Sequence, residues 1–139
     1  GALLGNAGEV EQEAYRLFGW HLGLAFQVQD DILGIWGDEA LIGKSSTSDL
    51  VEGKNSLPIL FGISKRGMFA ERWKQGHISQ IEVGFVASLL ADEGGQEYAE
   101  KIAQEETNKA LENLEKANPR GQAGESLLGL ANKLLKRKQ

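Results

Sequence analysis

Between residues 26 and 58 the sequence FQVQDDILGIWGDEALIGKSSTSDLVEGKNSLP gathers the side chains of greatest chemical capacity in the chain. Asp30, Asp31 and Asp38 crowd the end of an apolar-periodic stretch that reads as a helix. Two lysines, Lys44 and Lys54, each follow a glycine in the segment beyond. Carboxylates hold Mg²⁺, the ion holds phosphate oxygens, and lysines neutralise the charge that remains. On a continuous helix Asp30, Gly34 and Asp38 stand at i, i+4 and i+8 and line one face. Asp31 sits beside Asp30 and supports a metal directly or through water. Gly34 leaves room on that face for a water ligand or a substrate oxygen. Mg²⁺ takes only one or two protein carboxylates and keeps several waters, so a sparse cluster suffices. The plain alternative is a solvated acidic turn. Two carboxylates at a helix C-terminus oppose the macrodipole, however, and that placement points to a cation.

The elements that must position these groups are all helical in pattern. Residues 1–6 read as the tail of one helix and residues 9–36 as a long second one. Val10, Ala14, Leu17, His21, Leu24, Val28, Ile32 and Ile35 fall on its apolar stripe at three- and four-residue steps. His21 on that stripe reads as a hydrogen-bonded core histidine, and the Gly19/Gly23 pair as a place of close helix packing. Residues 37–54 read as a loop with at most one turn near 39–41. Asn55 or Ser56 then caps a helix carrying Pro58 in its first turn and running to about Lys65. Short helices follow over 68–75 and over 79–90, the latter with Ile81, Phe85 and Leu89 at four-residue steps. Residues 96–117 read as a surface helix with Tyr98, Ile102, Thr107, Ala110, Leu111 and Leu114 inward and a solvated charged face outward. A last helix over 122–136 is expected to bury Leu127, Leu130, Leu134 and Leu135, ahead of the basic tail Lys136-Arg137-Lys138. No stretch alternates with period two, so the fold class is all-α.

Composition narrows the function. Of 139 residues 41% are apolar and 25% charged, enough for one modest core, and the net charge of −5 argues against a general nucleic-acid binder. There is no cysteine, which excludes a disulfide scaffold and a thiolate metal site. The most apolar run, Leu17 to Val28, is too short to cross a bilayer and suits a buried helix, and the first residues lack a basic, then apolar, leader. A cytoplasmic protein is expected.

In order along the chain stand Phe26, Gln27, Asp30, Asp31, Gly37, Asp38, Gly43, Lys44, Asp49, Leu50, Glu52, Gly53, Lys54, Leu57 and Pro58. This series resembles the second aspartate-rich region of the trans-isoprenyl diphosphate synthases, the polyprenyl synthetases. One position departs: Gly34 stands where that family usually has a third aspartate, and Asp38, one turn on, is the natural stand-in. Read as Asp-Asp-Ile-x-Gly-x-x-x-Asp, the same residues also resemble the second metal motif of class I terpene cyclases. The resemblance implies a helical bundle of the isoprenoid synthase type. It also implies Mg²⁺-dependent head-to-tail condensation of isopentenyl diphosphate with an allylic diphosphate.

In that reading Asp30, Asp31 and Asp38 bind Mg²⁺ and Lys44 and Lys54 contact the allylic diphosphate. Gln27 steadies the metal-site end of the substrate, and Phe26 walls the hydrocarbon pocket. A homodimer or heterodimer is implied. A cyclase, or a non-catalytic subunit that tunes a partner, are the other readings. The resemblance covers residues 1–139 as the C-terminal half of such a protein, without the first aspartate-rich motif, and implies that this piece alone is inactive.

Overall fold

The computed structural model describes the backbone of residues 2–44 and 46–117 and of positions 125, 126, 129, 132 and 133, with side chains from Gly8 onward. Seven α-helices occupy the described part: α1 (Ala2–Trp36), α2 (Asp38–Ile42), α3 (Asp49–Glu52), α4 (Leu57–Ser64), α5 (Met68–Lys74), α6 (Val83–Asp92) and α7 (Gly95–Ala117). A 3₁₀ turn over Gln80–Glu82 leads into α6. Among the described residues there is no strand, as the all-α reading requires. The expected helix over 122–136, with its four leucines, and the basic tail lie outside the described residues apart from isolated positions.

Residues 1–6 and 9–36 are not two helices. A single helix runs from Ala2 to Trp36. Its buried apolar residues are Ala14, Phe18, Ala25, Val28, Ile32 and Ile35, whereas Val10 and Leu24 are exposed. Phe18 and Ala25, each one residue beyond the expected Leu17 and Leu24, turn inward, and Leu17 is half-buried. Gly19 and Gly23 face open space, with nothing within 4 Å of a Cβ placed on either, so they mark no close packing here.

The chain forms two compact units, divided within α1 after Gln27 and within α7 after Ile102. In the first unit Phe18, Ala25, Ala110 and Leu114 form a small core, with Leu22 against it. His21 is hydrogen-bonded there as expected: its Nδ1 lies 2.5 Å from Glu106 Oε2. Burial raises the Glu106 pKa, but the His21 bond and the Lys109 charge outweigh it and leave the group below its ordinary range.

The second unit holds the larger core. Ile35, Leu50, Ile59, Phe69, Ile78, Val83, Val86, Ala87 and Leu90 pack together, joining the end of α1 to α3, α4, α5 and α6. Trp36 locks that end by donating its indole Nε1–H to Ala87 O at 3.1 Å. α4 presses so closely on its neighbours that a Cβ at Gly62 would lie 2.5 Å from Leu90 Cδ1 and 2.6 Å from Phe69 Cδ1. Here the expected stripe Ile81–Phe85–Leu89 is corrected. Ile81 is 95% and Phe85 65% exposed, while Val83, Val86, Ala87 and Leu90 turn inward and Leu89, half-buried, packs against the same core. The helix begins after the 3₁₀ turn, and its face is set by what α2, α3 and α5 present to it.

That turn is held by a capping box. Ser79 donates its N–H and its hydroxyl to Glu82 Oε2, both at 3.0 Å, and Arg72 grips the same carboxylate from α5 at 3.0 and 3.1 Å. The Arg72 bonds, then the Ser79 bonds, hold the Glu82 pKa down at about 2 against an ordinary 4.5. A depressed carboxylate contributes stability that is present above its unfolded pKa and lost as pH falls through the folded one. Arg72→Met should therefore flatten the loss of stability between about pH 4.5 and pH 2. Thermal melts followed by circular dichroism across that window test this, and identical slopes in both proteins would remove the pair from the account.

Candidate functional site

The segment 37–54 is not one loop but two short helices with turns between them. α1 stops at Trp36 because Gly37 leaves helical geometry, with φ −66° and ψ 156°. Asp38 then opens α2, so the face through Asp30, Gly34 and Asp38 does not continue as one helix. The two glycines that precede the lysines have a common task. Gly43 (φ 86°) and Gly53 (φ 73°) end α2 and α3 in the left-handed conformation that L side chains resist. Lys44 and Lys54 thus emerge just beyond two helix C-termini, where cations are favoured. α3 is started by Ser48, whose Oγ accepts the Val51 N–H at 3.3 Å.

These elements enclose a cavity of about 610 Å³, within the size range of small-ligand pockets. Asp30 and Gly34 of α1, Asp38 of α2, and Lys54 all line it, so three of the predicted side chains are brought together. Lys44 is exposed and does not line it. Phe26, half-buried, and Gln27, exposed, belong to the first unit and are not among its lining.

Asp31 is engaged elsewhere. It is 6% exposed, its Oδ2 accepts the Leu57 N–H at 3.1 Å, and its Oδ1 lies 4.0 Å from Lys54 Nζ. Leu57 is the first residue of α4, so Asp31 takes up one of the N–H groups that have no partner within the helix, while Ser56 makes no side-chain cap bond. The expected cap at Ser56 is thus present in position only.

Residues without an assigned role in the sequence reading also line the cavity: Glu39, Ser46, Thr47, Asp49 and Glu52. Asp49 and Glu52 belong to the quoted motif, and that was the only signal for them. Asp49 is 7% exposed and its Oδ2 has no hydrogen-bond partner among the described residues. Burial pushes its pKa up to about 6, against the pull of Lys54 and with help from the charges of Asp31, Glu52 and Asp30.

The donor set decides what such a cavity can hold. Asp30, Asp38, Glu39, Asp49 and Glu52 face it with Lys54 as the single basic lining residue among those described. A bare diphosphate would be repelled, whereas a hard divalent cation finds oxygen ligands and an unsatisfied buried acceptor. Among the described residues no three carboxylates or imidazoles stand close enough to close on one ion. Mg²⁺ does not require that, because waters and substrate phosphates complete its shell. The residues fit the ion.

Comparison with known proteins gives the same direction. The family described as Polyprenyl synthetase matches residues 1–82. Over 120 residues the chain is 32% identical to the (2E,6E)-farnesyl diphosphate synthase of Mycobacterium tuberculosis, covering 81% of this chain and 33% of that protein. It is 36% identical over 115 residues to the all-trans-nonaprenyl-diphosphate synthase (geranyl-diphosphate specific) of Rhodobacter capsulatus, covering 78% and 35%. With the geranylfarnesyl diphosphate synthase of Aeropyrum pernix it shares 30% identity over 131 residues, covering 94% and 41%. The aligned part thus spans 33% to 41% of the length of these relatives. No solved structure matches the chain. With more than half its residues inside the family's pattern and its motif laid around one acidic cavity, the chain belongs to the polyprenyl synthetase family.

Proposed function

We propose that the protein condenses isopentenyl diphosphate head to tail with an allylic diphosphate, giving a longer trans-prenyl diphosphate. The observation that carries this is the cavity in which Asp30 and Asp38 face Lys54 on a chain of this family. Mg²⁺, when bound, neutralises the leaving diphosphate and acts as Lewis acid and template. Asp30, Asp31 and Asp38 supply the oxygen ligands, and Lys44 and Lys54 balance the phosphate charge that the ion leaves over. Asp31, held by the Leu57 N–H, also keeps Lys54 at the cavity edge. In the reaction the bond from the allylic carbon to diphosphate oxygen breaks and the alkene of isopentenyl diphosphate forms the new carbon–carbon bond. A proton and inorganic diphosphate are released. The protein's share is electrostatic preorganisation and positioning.

The test is incubation of the intact protein with labelled isopentenyl diphosphate and either geranyl or farnesyl diphosphate. Lengthened diphosphates should form with Mg²⁺ and disappear with EDTA. No incorporation with any allylic partner in the presence of Mg²⁺ would overturn the proposal.

A further inference from the structure

The space that Gly34 leaves open on α1 is already taken. A Cβ at Gly34 would lie 2.5 Å from Asp49 Oδ2, 2.7 Å from its Cγ and 2.9 Å from its Oδ1. The carboxylate of Asp49, brought in from α3, therefore stands where a side chain at position 34 would begin. Its neighbours are anchored on both sides: Ser48 before it is fully buried and caps α3, and Leu50 after it packs in the core of the second unit. Asp49 is itself more than nine-tenths buried and lines the acidic cavity, and its buried Oδ2 has no hydrogen-bond partner among the described residues. A buried, unpaired carboxylate oxygen costs folding free energy unless something compensates it. A cation in the cavity would do so.

We infer that Asp49 is the third carboxylate directed at the divalent cation, in the place of the aspartate missing at Gly34, and acts directly or through one water. The inference rests on the Mg²⁺-dependent reading above and replaces Asp38 in that one role. Asp38 lies beyond the break at Gly37 and starts a separate helix, so it does not occupy the Gly34 position. Gly34 is then no lost ligand but the seat that admits one. A Cβ at position 34 would require the Asp49 carboxylate to shift.

Mn²⁺ is the probe, its binding to the intact protein read by electron paramagnetic resonance, with and without inorganic diphosphate. Asp49→Asn, which keeps the shape and removes the charge, should weaken Mn²⁺ binding by about tenfold or more. Its melting temperature without metal should be unchanged or higher, because a buried charge has gone. Asp38→Asn should weaken binding less than Asp49→Asn does. Gly34→Ala answers the same question should Asp49→Asn lose its cooperative melt. The added methyl displaces the carboxylate while every charge is kept, and Mn²⁺ binding should again weaken. Binding equal to wild type in Asp49→Asn or in Gly34→Ala, or a larger loss in Asp38→Asn, would overturn the inference and leave the proposed reaction standing. Wild-type protein that binds no Mn²⁺ under either condition would overturn the metal reading itself.

Discussion

Asp30→Ala is expected to lower kcat of the intact protein by on the order of 10²-fold or more and to raise the Mg²⁺ concentration it requires. Asp30 is exposed at the cavity, on the last turns of α1, and contributes nothing to either hydrophobic core. A melting curve taken beside the activity shows whether the fold is kept while the reaction is lost. Prenyl transfer measured over a Mg²⁺ titration reads that loss directly. Wild-type kcat with unchanged Mg²⁺ dependence would take Asp30 out of the reaction.

The second large effect is on stability. Phe69 is fully buried, stacks on Trp73 at a centroid distance of 5.7 Å, and fills the space against which Gly62 of α4 is fitted. Phe69→Ala should cost about 3–5 kcal/mol, the transfer free energy of the ring plus the cavity it leaves. Urea unfolding followed by circular dichroism should show a lower midpoint at unchanged slope. The same core carries Ile35 and Leu50, which fix the end of α1 and α3, so the acidic cavity should loosen with it. A loss below about 1 kcal/mol would show that the ring's neighbours close over the gap.

Much of this was open to reading in the sequence. Apolar recurrence at three and four residues located the long helix, and Gly37 marked its end near the right place. The Gly-Lys pairs at 43–44 and 53–54 were singled out as chemistry, and the structure adds that their glycines end helices. What periodicity could not show were α2 and α3. Helices of five and four residues carry too few turns to register as a pattern, and Ser48 was lost among the serines and threonine beside it. The stripe on α6 failed for a related reason. Ile81 and Phe85 share a four-residue spacing with Val86 and Leu90, and only the packed neighbours choose between the two faces; Leu89 lies at the border and packs against the core.

The contact of Asp49 with Gly34 is tertiary, made across 15 positions of sequence, and no local rule reports it. Its one trace was a glycine where the family pattern asks for a side chain. Asp31 shows the reverse case. Its type and place suggested a metal, and the fold also spends it on the start of α4.

That use of Asp31 has a consequence for how the site can vary in length. The hydrogen bond from Leu57 N–H to Asp31 joins positions 26 residues apart and pins both ends of the stretch that carries Asp38, Asp49 and Lys54. The closure entropy of such a ring grows only with the logarithm of its size, so doubling its length would cost roughly 0.6 kcal/mol. The positions between Gly43 and Ser48, flanked by a helix end and a helix start, are where extra residues would be absorbed. Insertions there leave the pinned ends in register, and the cleft becomes a part whose rim can be resized while its floor stays fixed.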